Sequence, residues 1–269
     1  GTIKLLLEME DGAKVECVLM RYDYGNVLCV SSQVGCNMGC AFCASGLLRK
    51  QRDLATHEMI AQLLVMHSLL LDERITHVVV MGTGEPFDNY ERVMNFIKII
   101  NHPKALAIGA RHIAVSTCGL VDGILRYAEE KIQINLAISL HAPNDALRTR
   151  LMRINQAYPL QDLIQALQHY QKKTGRRITF EYILLRGVND QVNHAAELAN
   201  LVKQVHAYVN LIPYNEVVEL PFKRSAKEAT RLFVDELKKR GVNVTVRKEF
   251  GIDIDAACGQ LRAKVEENS

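Results

Sequence analysis

Cys36, Cys40 and Cys43 stand in the run Val-Gly-Cys-Asn-Met-Gly-Cys-Ala-Phe-Cys, and three thiols crowded into one short loop make a ligand set for a metal or a metal–sulfur cluster. A cubane of four irons needs four ligands, so three cysteines leave one iron open to a small molecule. A structural zinc loop is the plainer reading. Such sites close tetrahedrally with a second Cys-x2-Cys or a His pair, and none follows in the next stretch of chain. The Cys-x3-Cys-x2-Cys spacing therefore favours the cluster. A disulfide is disfavoured, because no secretory or membrane-spanning apolar stretch appears and the expected compartment is the reducing cytosol.

A loop of this kind needs a rigid frame, and the chain alternates short apolar runs with helical patterns. Residues 27–30 form the first run, followed by an amphipathic stretch with Ile60, Leu63, Leu64 and Leu71 on one stripe, where His67 reads as a core histidine. Further strands are expected at 78–81, 112–115, 134–140, 178–184 and 208–212. Helical periodicity separates them, in Tyr90, Val93, Met94 and Ile97, in Leu160, Leu163, Ile164 and Leu167, and in Leu198, Leu201, Val202 and Val205.

Six such units argue an α/β fold, a parallel sheet wound as a partial (β/α)6 barrel with helices outside. Reacting groups then belong beyond the carboxyl ends of the strands. Residues 36–43, 82–86, 116–119, 139–141 and 214–215 all fall there. Ahead of the barrel, 3–9 and 15–19 flank Asp11-Gly12 and read as a β-hairpin. The expected organisation is a hairpin extension over 1–26 and a barrel over 27–269, with a closing strand at 242–246 and a loop carrying Cys258.

At 269 residues and 48% apolar content the chain can bury a full core, and one domain suits the pattern. A formal charge of +3 does not by itself identify a nucleic-acid binder.

The cysteine spacing resembles the radical S-adenosylmethionine (SAM) signature, in which SAM chelates the open iron. Together with Ser-Ser-Gln-Val-Gly-Cys, Gly-Glu-Pro, Ser-Leu-His-Ala-Pro-Asn-Asp, Asn-Leu-Ile-Pro and Asp-Ile-Asp-Ala-Ala-Cys-Gly-Gln-Leu, it closely resembles the RlmN and Cfr family of radical SAM RNA methyltransferases. The likeness runs from about residue 15 to about residue 264, and Pro86 resembles the adenine-C2 branch, where the C8 branch carries Ala. A 4Fe-4S cluster on Cys36, Cys40 and Cys43 and SAM as second cofactor are implied. The resemblance makes Cys258 the methyl carrier, Cys29 the thiol that forms a disulfide with it to release product, and Glu16 the base for the ring proton. It puts SAM against Gly84, Glu85, Ser116, Ser139, Leu140, His141 and Asn215. The implied substrate is 23S ribosomal RNA, with tRNA as a second one. Implied too are a flavodoxin- or ferredoxin-type electron donor, no membrane, a monomer and a cytoplasmic setting. Independently of the family, an electron-poor ring carbon cannot attack a sulfonium methyl as an ordinary nucleophile.

Read alone, several of these residues are ordinary. Cys29 and Cys258 would be buried thiols, and Glu16 would sit on a solvated hairpin face. Cys17 and Cys118 stay structural. The Gly-x-Gly at Gly82 and Gly84 lacks a third glycine and reads as a turn that lets backbone approach a ligand. Arg148, Arg150, Arg153, Arg247, Lys248 and Arg262 are expected near the mouth loops as phosphate contacts. Arg153 and Asp122 stand where the family commonly has Pro, and the chain begins at Gly1 without the family's N-terminal accessory domain, as expected of a trimmed form or one with reduced RNA affinity. Two competing functions remain open: C8 methylation of the Cfr type, and an RNA-binding protein with a structural metal site.

Overall fold

The computed structural model describes residues 1–132, 134–248 and 259–261. Among these residues nine strands form the main sheet, in chain order β1 (Thr2–Glu8), β2 (Lys14–Tyr22), β3 (Gly25–Val30), β4 (Ile75–Val80), β5 (Ile113–Thr117), β6 (Asn135–Ser139), β7 (Ile178–Leu184), β8 (Ala207–Pro213) and β9 (Val244–Val246). The spatial order is the chain order. From β3 onward every pairing is parallel, whereas β1–β2 and β2–β3 are antiparallel, so the hairpin continues the barrel sheet at one edge.

Helices α1 (Thr56–Ser68), α2 (Tyr90–Asn101), α3 (Val121–Tyr127), α4 (Asp145–Leu151), α5 (Leu160–Thr174), α6 (Val192–Val202) and α7 (Lys227–Lys239) fill the crossovers. This is the expected partial (β/α)6 barrel, and every expected strand is present with its ends moved by a few residues. No helix among the described residues is long and apolar enough to cross a membrane.

Alternation along the strands divides the sheet into two surfaces. Val15, Cys17 and Leu19 on β2, Leu28 and Val30 on β3, Val78 and Val80 on β4, and Phe180 and Tyr182 on β7 face the helices and join one continuous apolar core. Their neighbours face the hollow: Glu16 and Val18 on β2, Cys29 on β3, Ser116 on β5, Ser139 on β6, and Glu181 and Ile183 on β7.

Helix α1 departs from the expectation. Its buried residues are Met59, Gln62, Leu63 and Met66, while Leu64 and His67 are exposed and Leu71, beyond the helix end, is 97% exposed. The polar Gln62 turns inward because it exchanges two hydrogen bonds with the Ser31 backbone, at 2.8 and 3.0 Å, and this rotates the apolar stripe away from Leu64 and His67.

Candidate active site

The cysteine loop leaves β3 through Ser31, Ser32 and Gln33, and buried polar groups tie this segment to the loop after β4. Ser31 Oγ donates to the Glu16 carbonyl (2.7 Å) and accepts from the Thr83 amide (2.9 Å), and the Thr83 carbonyl accepts from the Ser32 amide (2.9 Å). Gln33 Oε1 accepts from the Glu85 amide (2.9 Å), while its Nε2 donates to Asp53 and Asp88. Gly84, at φ +114°, sits in this seam, where a Cβ would lie 2.7 Å from the Gln33 and Ser32 side chains, so both backbone and space require glycine.

The loop itself doubles back tightly. The Cys36 amide donates to Leu48 O (3.1 Å), and the Cys43 amide to Cys40 O (3.2 Å). On one flank the Ala41 amide donates to Leu151 O of α4 (2.9 Å); on the other the Ala44 amide donates to Gly259 O (2.8 Å) and Ser45 Oγ to Leu261 O (2.8 Å). The chain immediately after Cys258 is thus held against the cysteine loop. Cys258 and Arg262 themselves lie outside the described residues.

Cys36, Cys40 and Cys43 border one cavity together with Gly84, Glu85, Ser116, Ser139, His141, Glu181 and Arg247. Burial pushes the Cys36 thiol up to about 11 and the Cys40 thiol higher still, and neighbouring thiols add to both shifts. Such thiols give up their protons readily only to a metal cation. Among the described residues no three His, Cys, Asp or Glu side chains converge as the ligands of a single ion do. A cubane asks for a different arrangement, one cysteine on each of three irons around a shared volume. Three thiols lining one cavity, with polar groups along its far wall, fit a cluster plus a small polar ligand.

Glu85 is buried, and its two oxygens accept from the Cys118 amide (2.7 Å) and the Phe87 amide (3.0 Å). Burial raises its pKa, and those amides oppose the rise. His141 adopts φ +56° at the end of β6, and its Nδ1 accepts from the Ile183 amide (3.0 Å), which fixes the neutral tautomer with hydrogen on Nε2. Burial, then the Arg148 charge, hold its pKa down at about 3. The Leu140 side chain lies in the apolar core, so only its backbone faces the site. Asn215 is buried in the loop after β8 and does not line the cavity.

Glu16 and Cys29 form a second group on the hollow face. Cys29 pairs with Val18, placing Glu16 diagonally across from it, about 7–8 Å away by sheet geometry. Glu16 is not on a solvated face as its position alone suggests: it is 2% exposed and 3.3 Å from Lys4 Nζ. The diagonal partner on β1 makes burial of the charge tolerable. Leu261 packs in the same cluster as Cys29, Val18 and Met20.

Arg148 is corrected outright. Far from meeting phosphate at the surface, it is fully buried and donates to Cys118 O (2.6 Å), Leu140 O (3.3 Å) and Asn155 Oδ1 (2.9 Å), bracing the loops after β5 and β6. Arg150 and Arg153 are exposed, and the Arg153 side chain runs beside Gly39 of the cysteine loop. Sequence reasoning also missed Gln33, Gln62 and Asn189. Asn189 donates from Nδ2 to His141 O and Ile183 O, both at 2.8 Å. The available signal was a polar residue interrupting an apolar helical stripe, as Gln62 does. Glu181, buried on β7 and hydrogen-bonded to Asn210 (2.9 Å), was legible as the polar member of an alternating strand.

Comparison with known proteins agrees with this geometry. Residues 30–199 match the Radical SAM superfamily. The chain is 57% identical to the "Probable dual-specificity RNA methyltransferase RlmN" of Enterococcus faecalis, over 98% of this chain and 76% of that one. It is 56% identical to the protein of the same name from Listeria welshimeri, over 98% and 74%. A crystal structure of a radical SAM methyltransferase from Sphaerobacter thermophilus superposes with a TM-score of 0.95 at 46% identity, covering 98% of this chain and 78% of that one. Streptococcus suis SuiB, crystallised bound to S-adenosylmethionine, shares the fold alone, with a TM-score of 0.57 at 15% identity over 86% of this chain and 48% of SuiB. On this evidence the chain belongs to the radical SAM superfamily and, within it, to the RlmN family of RNA methyltransferases.

Proposed function

We propose that this RNA methyltransferase adds a methyl group to C2 of an adenine in 23S ribosomal RNA, with tRNA as a second substrate, and that Glu16, Cys29 and Cys258 carry the reaction. Cys36, Cys40 and Cys43 would hold a 4Fe-4S cluster, with SAM toward Gly84, Glu85, Ser116, Ser139, His141 and the backbone of Leu140, and Asn215 supporting the rim. When bound, cluster and SAM supply a carbon radical by reductive cleavage of the sulfonium, with the electron delivered by a flavodoxin- or ferredoxin-type donor.

This chain's own residues then have separable tasks. Cys258 carries the methyl group as a thioether and becomes the covalent link to the base. Cys29 attacks the Cys258 sulfur, and the resulting disulfide frees the product. Glu16 takes the ring proton, a role suited to a carboxylate shut away from bulk water and paired with Lys4. The observation that carries the reading is the docking of residues 259–261 between the cysteine loop and the Cys29 face, which brings the chain next to Cys258 to both groups of the site.

The test is anaerobic incubation of the iron-reconstituted protein with labelled SAM and a ribosomal RNA fragment, followed by mass spectrometry of the nucleosides. The expected product is 2-methyladenosine, absent with Cys258→Ala. An 8-methyl product would move the chain to the Cfr type of chemistry, and full activity in Cys258→Ala would overturn the mechanism.

A further inference from the structure

The rim opposite the cysteine loop carries groups that the catalytic reading leaves unused. Because β3 to β8 run parallel, the residues preceding them share one end of the barrel. Tyr24 precedes β3, Arg74 precedes β4, Arg111 and His112 precede β5, Lys131 precedes β6, and Arg176 and Arg177 precede β7. Arg74, Arg111, Lys131 and Arg177 have no carboxylate partner among the described residues. A row of unneutralised cations repels itself, and it is relieved by a polyanion.

Rings lie among these cations. Tyr22 and Tyr24 stack with centroids 4.8 Å apart, Tyr24 and His77 meet in a T-shaped contact at 5.2 Å, and His77 stacks on His112 at 4.3 Å. Tyr24 is nonetheless 64% exposed. Across the opening, the Arg177 guanidinium lies over the Tyr208 ring at 4.5 Å. A cavity of about 420 Å³ opens beside that pair, lined in part by Arg177, Tyr208 and Glu181. Glu181 also borders the cysteine-lined cavity, so one wall is common to both. An acidic protein would answer the cations and leave the rings unexplained. Single-stranded RNA answers both, with phosphates on the cations and bases on the ring faces.

We propose that this rim is a docking surface for a single-stranded RNA segment flanking the target adenine, with a base stacked on Tyr24 and phosphates held by Arg111 and Arg177. The inference rests on the RNA-methyltransferase reading. Strands of five to seven residues separate the two rims by about 20 Å, so the surface meets neighbouring nucleotides and not the reacting ring.

The experiment is fluorescence anisotropy of the full chain with a fluorescein-labelled RNA hairpin bearing a loop adenosine and a single-stranded flank, across a salt series. Circular dichroism checks folding. Tyr24→Ala weakens binding roughly tenfold or more and Tyr24→Phe restores it. Arg111→Gln combined with Arg177→Gln lowers the slope of log affinity against log salt by about 1.4, and Lys238→Gln with Lys239→Gln at the end of α7 leaves it unchanged. Rim variants that bind with the affinity and slope of the unaltered chain overturn the proposal. So do rim variants that bind RNA normally but lose reduction by flavodoxin, an outcome that assigns the surface to an electron carrier. Methylation by the unaltered chain is assayed in parallel: binding without methylation defeats the enzymatic reading and leaves the docking surface standing.

Discussion

The helix-facing and hollow-facing sides of the sheet are made from alternate residues of the same strands, yet they obey different rules. On β7, Phe180, Tyr182 and Leu184 enter the apolar core, while Glu181 and Ile183 line the hollow. The helix side is held chiefly by volume, so apolar residues of similar size exchange there at small cost. On the hollow side each buried polar group needs a specific partner, Glu16 with Lys4, Glu181 with Asn210, His141 with the Ile183 amide. One side stabilises the frame, and the other spends some of that stability on groups poised for chemistry.

Substitutions on the two sides should separate stability from activity. The largest expected loss of stability is on the helix side, where Phe180→Ala removes a fully buried ring and costs about 3–5 kcal/mol in anaerobic urea denaturation. Its counterpart in the hollow, Glu16→Gln, cuts RNA methylation roughly 100- to 10,000-fold with a much smaller shift in the unfolding midpoint. Comparable stability losses for the two substitutions would erase the distinction.

A smaller effect follows from His141, whose folded pKa of about 3 lies below its ordinary value of 6.5. A depressed pKa contributes stability that is complete above 6.5 and is lost as the pH falls toward 3, because the unfolded chain binds the proton first. Between about pH 7 and about pH 5 the loss is about 2 kcal/mol, and His141→Asn, which tolerates the left-handed backbone, flattens that dependence. An equally steep profile in the variant would remove His141 from the account. The smallest change belongs to Leu71→Ser: at 97% exposure it alters stability by no more than about 0.5 kcal/mol, against the larger cost its place on the sequence stripe implies.

What the sequence made legible divides along the same line. Apolar periodicity reports burial against helices, so all the main strands and the run Leu160, Leu163, Ile164 and Leu167 were visible. The cysteine spacing and the segments after each strand were expected at one rim and do border one cavity, because strand direction decides which loops meet. Partner-dependent burial was not visible. Glu16 looks solvated until the register brings Lys4 to it, and Arg148 looks like a phosphate contact until two loop carbonyls and Asn155 close on it. Gln62 misleads in the opposite sense, since a polar residue at a buried position displaces the apparent stripe and with it Leu64 and His67. The partners of such groups lie on other elements or loops, so apolar periodicity can flag an out-of-place polar residue, as at Gln62, without showing what it meets.

The central claim is that the hollow-facing thiol of Cys29 acts after carbon and sulfur have been joined, as the group that releases RNA from the protein. Mass spectrometry of Cys29→Ala, reconstituted with iron and sulfide and reacted anaerobically with SAM and a ribosomal RNA fragment, tests it most directly. The account predicts a stable protein–RNA adduct in place of free methylated RNA. Release of methylated RNA at the rate of the unaltered chain would contradict it.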